Sequence, residues 1–232
     1  MRPDGGKPGA TQSLSEQRMK KKKYELIEAE NPPFPGARRV RALRSFGNVA
    51  KGEVGGWVES EDNLSQEGDS WVAGDAWVYG GAQVFGNAQV YNGARVFDDA
   101  WVFGNAQVFG NARVFGDARV LSDAWVGDNA QVFGNAWLSG DARVSDEALV
   151  YDNARLFNSA RVRADSLVFG NALVFGNALV FDNARVYGDA RVCGHARVYG
   201  HAQVYGDAQL DGPARVFGNV RVSGDADVPG DA

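Results

Sequence analysis

A six-residue period runs without interruption from residue 71 to residue 232 and constrains the fold more than any other feature of the chain. Starting at Val72, every sixth residue is aliphatic, and of these 27 positions 24 are Val and three are Leu. Ala follows four residues after the aliphatic residue in 25 of the 27 units, with Ser166 and Val220 as the exceptions. No insertion or deletion shifts the register, so the sequence predicts a stack of equivalent structural units.

Each unit, Ala-x-Val-aromatic-Gly-Asn/Asp, combines a short strand pattern with a turn pattern. Ala and Val share one side of the strand, and the residue between them and the aromatic residue share the other. Gly fills the first turn position in 18 of 27 units and permits a positive φ. Asn or Asp fills the second turn position in 20 of 27 units, and we expect it to tolerate the left-handed region. If each unit bends the chain by about a third of a full turn, three units close a triangular coil of 18 residues. The 27 units then give about nine coils.

The repeating unit Val-x-Gly-Asn/Asp-Ala-x resembles the hexapeptide repeat of left-handed parallel β-helix proteins. The resemblance covers about 160 of the 232 residues and implies an all-β, left-handed triangular solenoid; the handedness comes from the resemblance, since the spacing does not specify it. Residues 24–26, 41–43, 55–59 and 62–65 are also similar to the opening of uncharacterised hexapeptide-repeat proteins of enterobacteria and their phages. Those proteins are often labelled transferases from their fold, which says little about activity.

The chain divides into three segments. Residues 1–23 are polar and end in a run of lysines, which predicts a disordered tail; a start at Met19 is a second interpretation. Residues 24–66 lack the period, and we expect them to form an N-terminal β cap over the open end of the solenoid. Residues 67–232 are predicted to form the β-helix.

Composition limits the cellular setting. The net charge is −5, which disfavours a nucleic-acid partner. No apolar run is long enough to span a membrane, and no secretory signal peptide is recognisable. The single cysteine, Cys193, fits a reducing compartment. We therefore expect a cytoplasmic protein of a bacterium or a phage-infected bacterial cell, with no membrane contact.

Aromatic residues follow the aliphatic position in 17 of the 27 units. Positions 18 residues apart should stack in columns, and one column is aromatic in eight consecutive coils: Tyr79, Phe97, Phe115, Phe133, Tyr151, Phe169, Tyr187 and Tyr205. Stacking within a monomer explains the repetition, but not why this column alone is unbroken. With Leu149 and Leu167 beside it, the column predicts an interface of a homo-oligomer, a dimer or a trimer.

Residues suited to catalysis are few. His195 and His201 both occupy second turn positions, where filling the turn is the simpler explanation, and they fall on different corners of a coil. Cys193 lies near His195 in sequence, but no third group to orient them is evident. The resemblance implies acyltransferases and zinc-dependent carbonic anhydrases as enzymatic relatives, yet the extruded loop and C-terminal helical segment of those acyltransferases are missing. We predict no metal and no cofactor. The favoured function is a non-enzymatic scaffold that binds an unknown protein or small-molecule partner, and the alternative is an acyltransferase-like enzyme with an intersubunit site at His195, His201 and Cys193.

Overall fold

The computed structural model describes residues 22–229 and confirms the left-handed parallel β-helix, with about ten turns spaced 18 residues apart. Three strands precede the regular repeat: Tyr24–Ile27 (β1), Arg38–Ala42 (β2) and Val54–Val58 (β3). A single 3₁₀ turn, Glu61–Asn63, follows them. This turn lies in the first coil, between β3 and the first strand of the repeat, so the regular six-residue units begin only after it.

The repeat itself consists of two-residue strands, each formed by the outward residue and the aliphatic residue of one unit. They are Trp71–Val72 (β4), Trp77–Val78 (β5), Gln83–Val84 (β6), Gln89–Val90 (β7), Arg95–Val96 (β8), Trp101–Val102 (β9), Gln107–Val108 (β10), Arg113–Val114 (β11), Arg119–Val120 (β12), Trp125–Val126 (β13), Gln131–Val132 (β14), Trp137–Leu138 (β15), Arg143–Val144 (β16), Leu149–Val150 (β17), Arg155–Leu156 (β18), Arg161–Val162 (β19), Leu167–Val168 (β20), Leu173–Val174 (β21), Leu179–Val180 (β22), Arg185–Val186 (β23), Arg191–Val192 (β24), Arg197–Val198 (β25), Gln203–Val204 (β26), Gln209–Leu210 (β27), Arg215–Val216 (β28), Arg221–Val222 (β29) and Asp227–Val228 (β30).

These strands form the three faces of a prism. The first face contains β3 and every third strand from β5 to β29, the second every third strand from β6 to β30, and the third every third strand from β4 to β28. Pairing is parallel and in register, so Val114 lies beside Val96 on one side and Val132 on the other. Strand β3 joins the cap to the prism, because it pairs antiparallel with β2 and parallel with β5. Strand β1 completes the cap by pairing antiparallel with β2.

The core is a column of small aliphatic side chains along the axis of the prism. The Ala and Val or Leu positions are almost completely buried from Val72 to Val216, while the residues between them face outward with partial or full exposure. The inward and outward alternation expected from the six-residue unit is therefore present. Val at the centre of each strand suits this arrangement, since a β-branched side chain packs well on a pleated surface.

The turns differ from the sequence expectation in one respect. The left-handed angles lie at the first turn position, occupied by Gly or by residues such as Asn92 (φ 62°) and Asp98 (φ 57°), and the second position is not left-handed. The second position instead carries side-chain ladders along the corners: Asn87 Nδ2 donates to Asn105 Oδ1 at 3.0 Å, and Asn105 Nδ2 donates to Asp123 Oδ1 at 2.9 Å. The frequency of Asn and Asp there reflects hydrogen bonding between coils rather than backbone strain.

Ala164 allows a direct test of this turn geometry. Its φ of 59° places an alanine in the left-handed region, which costs about 1 kcal/mol relative to glycine. We expect Ala164→Gly to stabilise the protein by about 1 kcal/mol in a urea titration. Gly170→Ala is the matched opposite change, since its added Cβ would lie 2.9 Å from the backbone nitrogen of Gly188 at a φ of 70°. Gly170→Ala should destabilise the protein by more than Ala164→Gly stabilises it. Equal stability of the native protein and the two variants would contradict left-handed angles at the first turn position.

Two buried residues of the cap close the N-terminal end. Lys23 is fully buried, and its Nζ donates to the Ser70 carbonyl at 2.9 Å and the Ser70 hydroxyl at 3.1 Å. Burial lowers the pKa of Lys23 to about 8. The Tyr24 hydroxyl donates to the Leu64 carbonyl, and burial raises the pKa of Tyr24. The sequence places Lys23 in the predicted disordered tail, but the structure shows it buried in the cap. Residues 1–21 of that tail lie outside the described residues.

Within residues 22–229, no helix has the length and apolar composition needed to cross a lipid bilayer.

Candidate functional site

The unbroken aromatic column lies on the first face and forms a continuous ladder of stacked rings. Its eight rings run from Tyr79 to Tyr205 with centroid separations of 4.8–5.1 Å and interplanar angles of 1–4°. The in-register parallel strands set this spacing, which coincides with the distance that suits stacked aromatic rings. We call these eight rings the aromatic ladder.

The cap adds one ring that the sequence did not predict. Phe34 lies against the N-terminal end of the aromatic ladder, 4.9 Å from Tyr79 and 5.9 Å from Trp77 between ring centroids. Because the rings of the ladder stack face to face, each ring covers its neighbours, and all eight aromatic residues are partly rather than fully exposed. The remaining exposure adjoins the outward residues of the same face, among which Leu149 and Leu167 are likewise partly exposed. The apolar stripe predicted as an interface is thus present on one surface.

The outward residues beside the aromatic ladder form an apolar centre with polar residues on both sides. Leu149 and Leu167 occupy adjacent strands at the centre. Gln131 precedes them and Arg185 follows; beyond these lie Arg113 and Gln203. Outwards from the two leucines, Gln and Arg follow in opposite order on the two sides, and Arg95 and Arg221 occupy the third position on either side. This order could have been read from the sequence, once the 18-residue spacing assigned these residues to one column.

The other two faces carry shorter ladders. On the second face, Phe85 stacks on Phe103 at 4.7 Å and Phe157 stacks on Phe175 at 4.7 Å, with a gap between the two pairs. On the third face, Arg143 lies over Trp125, with its guanidinium carbon 4.5 Å from the centre of the indole. Such cation–π contacts make the outward arginines part of the surface packing. Neither face has an uninterrupted apolar stripe.

The two histidines lie apart, as their sequence positions predict. Both are exposed, and neither has left-handed backbone angles, so a preference of His for such angles does not explain why it fills these two turns. His195 borders a shallow groove of about 260 Å³ with Ser159, Arg161, Asn177 and Leu179. His201 is not among these lining residues, because it lies on another corner. In the part of the chain that the structure describes, no group of three His, Cys, Asp or Glu residues could hold a metal ion.

Cys193 has the wrong electrostatics for a nucleophile. Its Sγ contacts the Leu210 carbonyl at 3.4 Å. Burial, followed by the hydrogen bond and the charge of Asp211, raises the pKa of the Cys193 thiol to about 11. A cysteine nucleophile reacts as the thiolate and is typically activated by a lowered pKa. Cys193, His195 and His201 therefore do not form a recognisable catalytic arrangement within one protomer.

The comparisons with known proteins agree with the architecture. The family model described as YdcK Beta solenoid repeat matches residues 106–122, 178–194 and 190–206. Each matched segment is close to one coil in length; the first falls on the third turn of the repeat, the second on the seventh, and the third spans parts of the seventh and eighth turns. The chain is therefore similar to a β-solenoid repeat protein over part of its length. No match was found among curated proteins.

Proposed function

We propose that the protein is a non-enzymatic scaffold, a rigid β-helical rod that forms a homodimer through the aromatic ladder and presents its other two faces to partners. The observation that carries this proposal is the apolar centre beside the ladder, Leu149 and Leu167, with Gln and Arg placed in opposite order on its two sides. A twofold interface brings the same patch of both protomers together and must be complementary to itself. An apolar centre flanked by Gln and Arg in opposite order meets that requirement, because the residues next to the centre then pair Arg with Gln.

The two possible directions of pairing differ in their charges. In an antiparallel pair centred between Leu149 and Leu167, each leucine faces the other across the interface. Arg185 then faces Gln131, and Arg113 faces Gln203, so Arg95 and Arg221, farthest from the centre, are the one pair of arginines in this column that face each other. In a parallel pair every arginine faces its own copy, and like charges placed opposite each other destabilise an interface. The charge pattern therefore favours the antiparallel dimer over the parallel one.

Leu149→Lys should disrupt this dimer. The substitution places a cation at the apolar centre twice, once from each protomer, and we expect the dissociation constant to rise by about 10- to 100-fold. Sedimentation velocity across a concentration series measures this change. Leu179→Lys on the third face is the matched control, since Leu179 is an outward residue with similar partial exposure. A monomeric native protein, or equal effects of both variants, would argue against the interface.

Gln131→Glu separates the antiparallel arrangement from the alternatives. It places a carboxylate opposite Arg185 in the antiparallel dimer and should lower the dissociation constant, with an effect that disappears in Arg185→Gln. In a parallel dimer the new carboxylate faces its own copy and weakens association. A trimer by sedimentation would replace the twofold arrangement with a threefold one and contradict the antiparallel pairing.

The resemblance to hexapeptide-repeat proteins of enterobacteria and phages supports a bacterial or phage-infected cell as the setting in which the scaffold acts. A bacterial or phage-infected cytoplasm suits a chain whose one cysteine is a free thiol rather than a disulfide partner. In that setting the rod would bind a host protein or small ligand. Acyl transfer in a cleft between protomers gains no support from Cys193, His195 or His201.

A further inference from the structure

A groove of about 530 Å³ lies where the cap meets the third face. One wall is the cap turn that contains Gly47, Asn48 and Val49, and Glu53 lies nearby. The floor is formed by the first coils of the third face, with Tyr91, Gln89 and Gln107 among the lining residues. Its volume lies in the range of small-ligand sites, about 300–1,000 Å³. The groove is on a different face from the aromatic ladder, so the proposed dimer leaves it open.

Tyr91 provides an aromatic platform in this groove. Its ring stacks on Phe109 at 5.4 Å with an interplanar angle of 10°. On the opposite side, the position one coil earlier is Ala73, whose methyl group cannot cover a phenol ring. Among the described residues no second ring stacks on Tyr91. The ladder of the third face therefore begins with a ring that borders the groove and has no aromatic partner on its second face.

Hydrogen bonds hold this platform in position. The Tyr91 hydroxyl donates to Gln107 Oε1 at 3.0 Å, which fixes the phenol and orients the Gln107 amide. Gln89 Nε2 donates to the Asp69 carbonyl at 2.7 Å, and Asn87 Nδ2 donates to Asn105 Oδ1. Side chains with such partners lose little conformational freedom when a ligand binds.

Several polar groups in the groove keep hydrogen-bonding capacity. Within residues 22–229, Gln107 Nε2 and the Asn48 amide donate to no protein group. The Gln89 side-chain oxygen and the Asp69 carboxylate add acceptors. Trp71 also borders the groove, and its buried indole Nε1 has no partner in the described part of the chain, although buried N–H groups are nearly always satisfied.

We propose that this groove binds the pyranose ring of a neutral saccharide. One face of a pyranose presents C–H bonds that pack on the electron-rich face of an aromatic ring. Its hydroxyl groups donate and accept hydrogen bonds at once, which matches a mixed rim of amide donors and carboxylate acceptors. The carboxylates of Glu53 and Asp69, with no basic residue in the lining, disfavour an anionic sugar.

Saturation-transfer NMR on the full chain tests the proposal with four probes: maltose, lactose, cellobiose and N,N′-diacetylchitobiose. At least one should receive saturation at millimolar concentration, while glucuronic acid should bind at least about tenfold more weakly than the neutral probe. Tyr91→Ala removes the platform and should raise the dissociation constant about tenfold or more. Tyr199→Ala is the matched control, since it removes a tyrosine from the same column far from the groove.

Ala73→Phe provides a second test that does not depend on weakening the fold. The new ring would stack on Tyr91, complete the ladder and cover the platform, so binding should be lost while thermal stability is kept or raised. Transfer to none of the four neutral probes would overturn the proposal. Unchanged affinity in both Tyr91→Ala and Ala73→Phe would also overturn it, because binding would then lie elsewhere on the molecule.

Discussion

Val132→Asp is expected to destabilise the β-helix by more than about 5 kcal/mol. Val132 is fully buried and pairs in register with Val114 and Val150, so the new carboxylate would lie among aliphatic side chains with no cation or hydrogen-bond donor nearby. A buried charge without a partner is among the few single changes with so large an effect. The defect lies midway along the prism, and we expect it to separate the coils on its two sides.

Gln131→Asp and Val228→Asp are the controls for this effect. Gln131 precedes Val132 in the same strand and faces outward, so its replacement should change stability by no more than about 0.5 kcal/mol when both variants are measured in the Leu149→Lys background, which keeps dimerisation out of the result. Val228 is in the last described strand and is partly exposed, and its replacement should loosen only the last coil. Hydrogen exchange read by mass spectrometry distinguishes these outcomes. Equal protection patterns for Val132→Asp and Val228→Asp would contradict a core that runs continuously along the axis.

The sequence specified the regular part of this fold because one pattern repeats. A period of six with Ala and Val two residues apart leaves a single arrangement in which both are buried, and the 18-residue coil then places Tyr79 to Tyr205 in one column. The handedness came from the resemblance to known β-helices. The positive φ expected for Gly at the first turn position is confirmed, and the left-handed angles expected for Asn and Asp at the second position are wrong. Gly, Asn and Asp all tolerate those angles, so residue identity alone does not decide between neighbouring turn positions.

The irregular segment was harder to predict. Phe34 follows two prolines with no periodic neighbour, and its contact with Tyr79 depends on how the cap folds back over the prism. Lys23 ends a run of lysines that suggests solvent, yet it is buried because the carbonyl groups of Glu67, Gly68 and Ser70 converge on its Nζ. The groove beside Tyr91 likewise arises where the cap turn meets the first coils. Such tertiary contacts leave no repeat in the sequence.

Phe133→Ala in the aromatic ladder should lower the free energy of unfolding by about 3 kcal/mol, although the side chain is on the outside of the prism. Phe133 stacks on Phe115 at 4.8 Å and on Tyr151 at 4.9 Å, so truncation removes two ring contacts and exposes both neighbours. The loss should appear in urea denaturation monitored by circular dichroism. Measuring it in the Leu149→Lys background keeps any change in dimerisation out of the result.

Phe217→Ala is the matched control, because the same side chain is removed where it has one stacking partner. Phe217 lies 5.2 Å from Tyr199 and is 54% exposed, and its loss should cost only about 1 kcal/mol. Phe133→Leu should fall between the two, since leucine restores apolar area without the stacked geometry. If Phe133→Ala costs no more than Phe217→Ala, the rings add little to the stability of the monomer. The unbroken ladder would then be explained by assembly alone, which the sedimentation of Leu149→Lys tests independently.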